Sequence, residues 1–256
     1  MKVYFYTAGV LCCCFSVASQ AQEVEGGIDL ITSHFRYEEP NFMEMKGSMI
    51  GIGGDIAVRN NGLMLGLQGS YIEGDIDYTS NGSGSDDGVP NSIWEVRGLV
   101  GTDMAGQMNT RVTPYTGLGF RRLFDDHGGR QTTTGANAYD RIQDYLYLPI
   151  GIAVQTESTG WQVRGELEYD YLIRGENQTN LSDAGNYPDL KFTQKNGYGL
   201  RASLTLSTAV NLGVISSLGI TPYFKYWNID RSNVNSGYLE PSNNSTELGL
   251  KARLGF

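Results

Sequence analysis

From Trp161 to Arg174 the chain sorts its residues onto two sides. Trp161, Val163, Gly165, Leu167, Tyr169, Tyr171 and Ile173 fall on one; Gln162, Arg164, Glu166, Glu168, Asp170 and Arg174 fall on the other. A period of two is what a strand makes, and a helix would scatter these residues around its surface. The run is more than twice the usual strand length of about five or six residues. Strands this long suit a tilted barrel that crosses a bilayer and projects beyond it.

The same pattern recurs along the chain. Ile50, Ile52, Ile56 and Val58 oppose Asp55 and Arg59. Leu63, Leu65, Leu67 and Tyr71 oppose Gln68 and Ser70. Trp94, Val96 and Val100 oppose Glu95, Arg97 and Asp103, and Thr116, Leu118 and Phe120 oppose Gly117, Gly119 and Arg121. Leu146, Leu148, Ile150, Ile152 and Val154 oppose Tyr145 and Tyr147. Leu200, Ala202, Leu204 and Leu206 oppose Arg201, Ser203 and Thr205, and Ile220, Phe224 and Tyr226 oppose Lys225. Leu248, Leu250, Ala252, Leu254 and Phe256 alternate with Gly249, Lys251, Arg253 and Gly255. The first strand, within residues 27–38, is the least clean; putting Arg36 inside with His34 and Thr32 places Ile31, Phe35 and Tyr37 outside. These segments predict ten strands.

Two kinds of connection separate them. Short ones carry turn residues, at 59–62, 104–109 and 157–160, with a longer linker at 207–219. Polar stretches rich in Gly, Asn, Ser and Asp cover 79–92, 124–141, 175–194 and 230–246, with a shorter one at 40–45. Alternating short turns and long loops are a property of membrane barrels, and an even strand number puts both termini at the short-turn end.

Composition sharpens this. The 256 residues include 34 Gly, 16 Tyr and only 7 Pro, a balance that favours strands and turns over a collagen-like repeat. The net charge of −9 argues against a nucleic-acid partner, which needs a basic stripe. Residues 1–21 read as a cleaved signal peptide: Lys2, an apolar stretch from Val10 to Val17, and the small-x-small site Ser19-Gln20-Ala21. All three cysteines, Cys12, Cys13 and Cys14, leave with it, which removes disulfides and thiolate metal sites. Residues 22–256 then form one domain. It has no apolar run long enough for a spanning helix, so membrane entry requires a closed barrel.

With these features the sequence resembles the small outer-membrane β-barrels of Gram-negative bacteria. The stretch Leu248 to Phe256 resembles the C-terminal signal read by the barrel-assembly machinery. Tyr37-Glu38-Glu39-Pro40, Ile93-Trp94-Glu95-Val96-Arg97-Gly98 and Gly197-Tyr198-Gly199-Leu200-Arg201 are similar to motifs of proteins in that broad group. The resemblance implies an all-β, single antiparallel up-and-down transmembrane barrel in the outer membrane, with both termini periplasmic. It implies lipid and lipopolysaccharide around the barrel and the assembly machinery as a partner during biogenesis.

The polar faces assign a lumen network to Asp55, Glu95, Arg97, Arg121, Arg164, Glu166, Glu168, Asp170, Arg201, Lys225, Lys251 and Arg253. Barrels of about eight strands are filled by their own side chains, so ten strands predict a lumen plugged by ion pairs rather than an open pore. Ten strands also match the omptin surface proteases in number. That resemblance points to Asp75, Asp77, Asp125 and His127 as the four residues of a water-activating site. The flexible setting of Asp125 and His127, followed by Gly128 and Gly129, weighs against it. Asn81 to Gly88, with Asp86 and Asp87, lacks a spaced calcium-ligand frame. The expectation is a barrel without catalysis, cofactor or metal, structural or surface-interacting through its loops. A narrow channel for small solutes is the first alternative and an omptin-like protease the second.

Overall fold

The computed structural model describes residues 23–107, 109–235 and 237–256. The signal peptide expected at 1–21 lies outside them.

Ten long strands form the wall: β1 (Glu23–Glu39), β2 (Met43–Asn60), β3 (Leu63–Ser80), β4 (Gly84–Thr102), β6 (Thr110–Asp125), β7 (Arg141–Ser158), β8 (Trp161–Thr179), β10 (Gly197–Leu212), β11 (Ile215–Ile229) and β12 (Asn243–Gly255). Two short pieces join them, β5 (Met104–Ala105) against β6 and β9 (Leu190–Gln194) against the far end of β8. All long neighbours are antiparallel. β8 pairs with β10, and β12 returns to β1, so the sheet closes without an edge. The seam ends on the terminal residue. The Gly26 amide donates to the Phe256 carbonyl at 3.2 Å, and the Phe256 amide donates to the Gly26 carbonyl at 3.0 Å.

The wall has two storeys with opposite patterns. Near the termini the outside is apolar: on β3, Leu63, Leu65, Leu67 and Tyr71 are exposed. Leu63 to Tyr71 is nine residues, the short end of the about 9–11 that a tilted strand uses to cross a bilayer. Past Tyr71 the same outer face carries Glu73, Asp75 and Asp77. Aromatic rings mark the change, with Trp94 against Phe120 at 5.0 Å and Tyr169 stacked on Tyr198 at 5.9 Å. Beyond that level polar residues face out and apolar ones pack inside.

This inversion corrects the first strand. Ile31, Phe35 and Tyr37 are at most 2 % exposed and point inward, whereas Thr32, His34 and Arg36 face out. Arg36 pairs with Glu44 at 2.5 Å on the outer surface. The expectation assumed a polar lumen along the whole stave. In the storey that leaves the membrane, water lies outside and the inside becomes the core.

The connections also differ from expectation. The 79–92 stretch is largely strand and 40–45 is half strand, closed by tight turns at 81–83 and 40–42. The Gly and Ser residues of 79–92 sit in the β3–β4 hairpin, which rises beyond the apolar belt. The 207–219 linker is likewise a two-residue turn at 213–214, with Gly213 at φ 70°. Long connections remain at 126–140, 180–196 and 230–242, all at the end opposite the termini. Arg174, expected inside, is exposed outside. The β7–β8 register slips between Leu146 and Tyr147, leaving Ile173 as an extra residue that turns Arg174 to the outer face.

Candidate functional site: a divided lumen

The lumen is filled in layers. At the terminal end Arg59 pairs with Glu25 at 2.7 Å and Asp103 at 2.5 Å, and Arg111 reaches Glu25 at 2.5 Å. Above this rim lies a cavity of about 210 Å³. Its walls carry Arg253, held by Asp55 at 2.5 Å and Asp29 at 3.2 Å, and Arg164, held by Glu166 at 2.5 Å.

A buried charged layer forms the roof of that cavity. Arg201 on β10 is its hub. Its guanidinium donates to Glu95 at 2.5 and 2.8 Å across the barrel, and to Asp170 at 2.5 Å. It also lies 3.1 Å from Glu168. Arg97 takes the other Glu168 oxygen at 2.5 Å, and Lys225 stands 3.4 Å from Glu95 and 3.6 Å from Glu247. The Tyr147 hydroxyl donates to Glu95 at 2.6 Å. Tyr147 reaches there because its ring lies over Gly119 on the next stave; a Cβ at Gly119 would come within 2.2 Å of it. The guanidinium of Arg201 also sits over the rings of Tyr147 and Trp227.

Above the charges the lumen is mainly apolar. Ile31, Phe35, Tyr37, Met45, Met49, Ile72, Ile76, Ile93 and Leu123 form one cluster, and Tyr145, Tyr147, Leu172, Trp227 and Ile229 another. These rings and methionines fill the bore together with Arg121 and Gln143, both 2 % exposed.

Of the twelve residues assigned to the lumen, ten are joined in ion pairs: Asp55, Glu95, Arg97, Arg164, Glu166, Glu168, Asp170, Arg201, Lys225 and Arg253. Arg121 and Lys251 have no ion-pair partner among the described residues. The first lies over the Tyr145 ring and the second over that of Tyr223. Sequence reasoning missed Asp29 and Glu247. Asp29 was lost with the inverted first strand. Glu247 lies two residues before Gly249 in the same alternation, and starting the last strand at Leu248 excluded it.

Sequence reasoning also missed the charges at the loop end. Arg141 at the start of β7 pairs with Glu39 at 2.6 Å and Asp125 at 3.5 Å. Tyr37 donates to Glu39 at 3.0 Å, and Asn91 donates to Asp125 at 3.2 Å. The 230–242 loop adds a further carboxylate, Glu240, 5 % exposed, which accepts from Asn177 at 2.8 Å. Burial, reinforced by the charge of Glu39, pushes the Glu240 carboxyl up to about 8, and Arg141 opposes this. An acid raised in the folded state holds a proton that the unfolded chain has lost. Stability therefore falls as pH rises from about 4.5 toward about 8, and levels off above. Glu240→Gln is expected to flatten this fall, as measured by urea unfolding of wild type and variant at pH 5 and pH 8.

A second cavity, of about 380 Å³, opens between these charges and the loops. His127 lines it, its Nε2 3.1 Å from Asp86, which also accepts from Arg130 at 2.6 Å. The four omptin-like positions do not converge. Asp75 and Asp77 face the outside of β3, while Asp125 and His127 are buried on the inner side. Asp77 instead accepts from the Gly88 amide at 3.1 Å.

No protein-family model matches the chain, and no curated protein matches it in sequence. Solved structures do. The outer membrane protease OmpT from Escherichia coli superposes with a TM-score of 0.59, at 9% identity, over 91% of this chain and 96% of that one. A major outer membrane protein from Thermus thermophilus is matched at 12% identity over 90% and 99%, with a TM-score of 0.41. The Neisserial surface protein NspA is matched at 12% identity over 93% and 100%, with a TM-score of 0.34. At such identities the likeness is one of fold. Closed wall and apolar belt define the class: this is a closed, antiparallel, ten-stranded membrane-type β-barrel, the fold it shares with OmpT.

Proposed function

We propose that this barrel is a plugged, non-catalytic surface protein whose loop end faces the exterior and whose termini face the periplasm. The observation that carries the reading is the divided lumen: the charged layer around Arg201 and the apolar clusters above it separate the two cavities. With the lumen filled by these layers among the described residues and the omptin-like residues split across the wall, the loop end is the surface left for interaction. Lipopolysaccharide around the projecting storey and the assembly machinery at the C-terminus fit this placement.

Planar-bilayer recording of refolded protein tests the plug, and a silent bilayer is expected. Discrete conductance steps that change when Arg164 and Glu166 are replaced by Ala would establish the channel instead. Labelling of Ser83→Cys on intact cells by a membrane-impermeant maleimide tests the orientation, and labelling without cell lysis is expected.

Deletion of Phe256 tests the assembly partner. The residue is half exposed at the seam, with its backbone bonded to Gly26 on both sides. The truncated chain is expected to accumulate unfolded in the periplasm. Normal yields of heat-modifiable, membrane-inserted protein would contradict this.

A further inference from the structure

The loop-end cavity has the chemistry of a binding cup, and we propose that it holds one ring of a neutral saccharide; this rests on the surface-interaction reading above. The cup has the volume of a small-ligand site, about 380 Å³, near the lower end of the usual range. Its floor is built from polar and ionisable side chains at least nine-tenths buried: Glu39, Asp125, His127 and Arg141. They are already committed to one another or to the wall. Glu39 and Asp125 share Arg141, Tyr37 and Asn91 donate to them, and His127 is held by Asp86. A charged guest would have to compete with these contacts.

What the cup offers instead is neutral hydrogen bonding. Asn41 and Tyr139 line it, and neither the side-chain amide of the one nor the hydroxyl of the other has a hydrogen-bond partner among the described residues. Glu39 spends Oε1 on Arg141 and Tyr37 and leaves Oε2 without one. An amide, a phenol and a free carboxylate oxygen around one space supply donors and acceptors together, as the hydroxyls of a sugar require. At the rim Phe42 is 59 % exposed and gives an apolar ring for the C–H face of such a guest. The rim residues sit on two tight hairpins, β1–β2 and β3–β4, tied by the Asn81 side chain donating to the Asn41 carbonyl at 2.9 Å. The hairpin side of the cup is therefore set on rigid elements, which lowers the ordering cost of binding, and Tyr139 faces it from the 126–140 connection.

The test is isothermal titration of protein refolded in a sugar-free detergent such as lauryldimethylamine oxide. The probes are neutral mono- to tetrasaccharides of hexoses and N-acetylhexosamines, with putrescine, argininamide and inorganic phosphate as charged arms. Phe42→Ser and Asn41→Gly change the rim without touching the floor, and Gly accepts the positive φ of Asn41. Binding of at least one saccharide, weakened at least tenfold by either substitution in protein that retains heat-modifiable migration, is expected. No saccharide bound at 10 mM on the order of the weakest useful affinity, binding that ignores both substitutions, or substitution-sensitive binding of a charged probe alone would overturn the proposal. If Ser83→Cys is labelled on cells and no sugar binds, this inference fails while the surface reading stands. If the cysteine is not labelled, the surface reading itself fails.

Discussion

Arg201→Met is expected to cost about 3–5 kcal/mol, the usual cost of removing one partner from a buried charge cluster. Among the described residues Arg201 is the one cation that touches Glu95, Glu168 and Asp170 together. Without it three buried carboxylates depend on Arg97 and Lys225. Glu95→Gln should cost clearly less, because Arg201 keeps Asp170 and Glu168 and the amide oxygen can still accept from Tyr147. Urea unfolding in lipid vesicles measures both. The double variant Glu95→Gln/Arg201→Met should lose less than the sum of the two, since the second change removes a charge the first had stranded. Equal costs for the two single variants would mean that Arg201 is not the hub.

Leu167→Arg is expected to destabilise the inserted barrel by about 2–4 kcal/mol, while Glu166→Gln changes it far less. The two residues are neighbours on β8. Leu167 is 64 % exposed on the outer wall, and Glu166 faces the lumen beside Arg164. One places a charge in hydrocarbon, which cannot solvate it. The other removes a charge in a polar cavity and keeps a hydrogen-bonding side chain. Similar unfolding midpoints for the two variants would contradict the assignment of faces.

The membrane storey was legible in the sequence because two solvents act on one strand. Lipid outside and charge inside impose a clean alternation, which is why β8 as far as Ile173 and β12 from Leu248 onward could be read residue by residue. The projecting storey was not legible in the same way. There water is outside and methionines and aromatic rings are inside, so Phe35 and Tyr37 carry the opposite meaning from Leu65 and Leu67. A rule with a single polarity assigns one storey correctly and inverts the other. The loops of 81–83 and 213–214 were overestimated for a related reason: Gly, Ser and Asn serve both turns and solvated strand ends. The Arg201 hub lay within the predicted network, since its members alternate with apolar residues. The loop-end group of Glu39, Arg141 and Glu240 did not, because its members come from the ends of β1 and β7 and from a loop. Their meeting is set by closure of the barrel and by no local pattern.

The two-storey wall is the claim from which the rest follows, and nitroxide accessibility along the outer face of β3 tests it most directly. Single cysteines at Leu65, Leu67, Glu73, Asp75 and Asp77, spin-labelled in protein reconstituted in vesicles, report contact with oxygen in lipid or with a water-soluble nickel chelate. Labels at Leu65 and Leu67 should be oxygen-accessible and shielded from the chelate, and labels at Glu73, Asp75 and Asp77 should show the reverse, with the crossover next to Tyr71. Lipid contact continuing to Asp77, or chelate access at Leu67, would contradict the account.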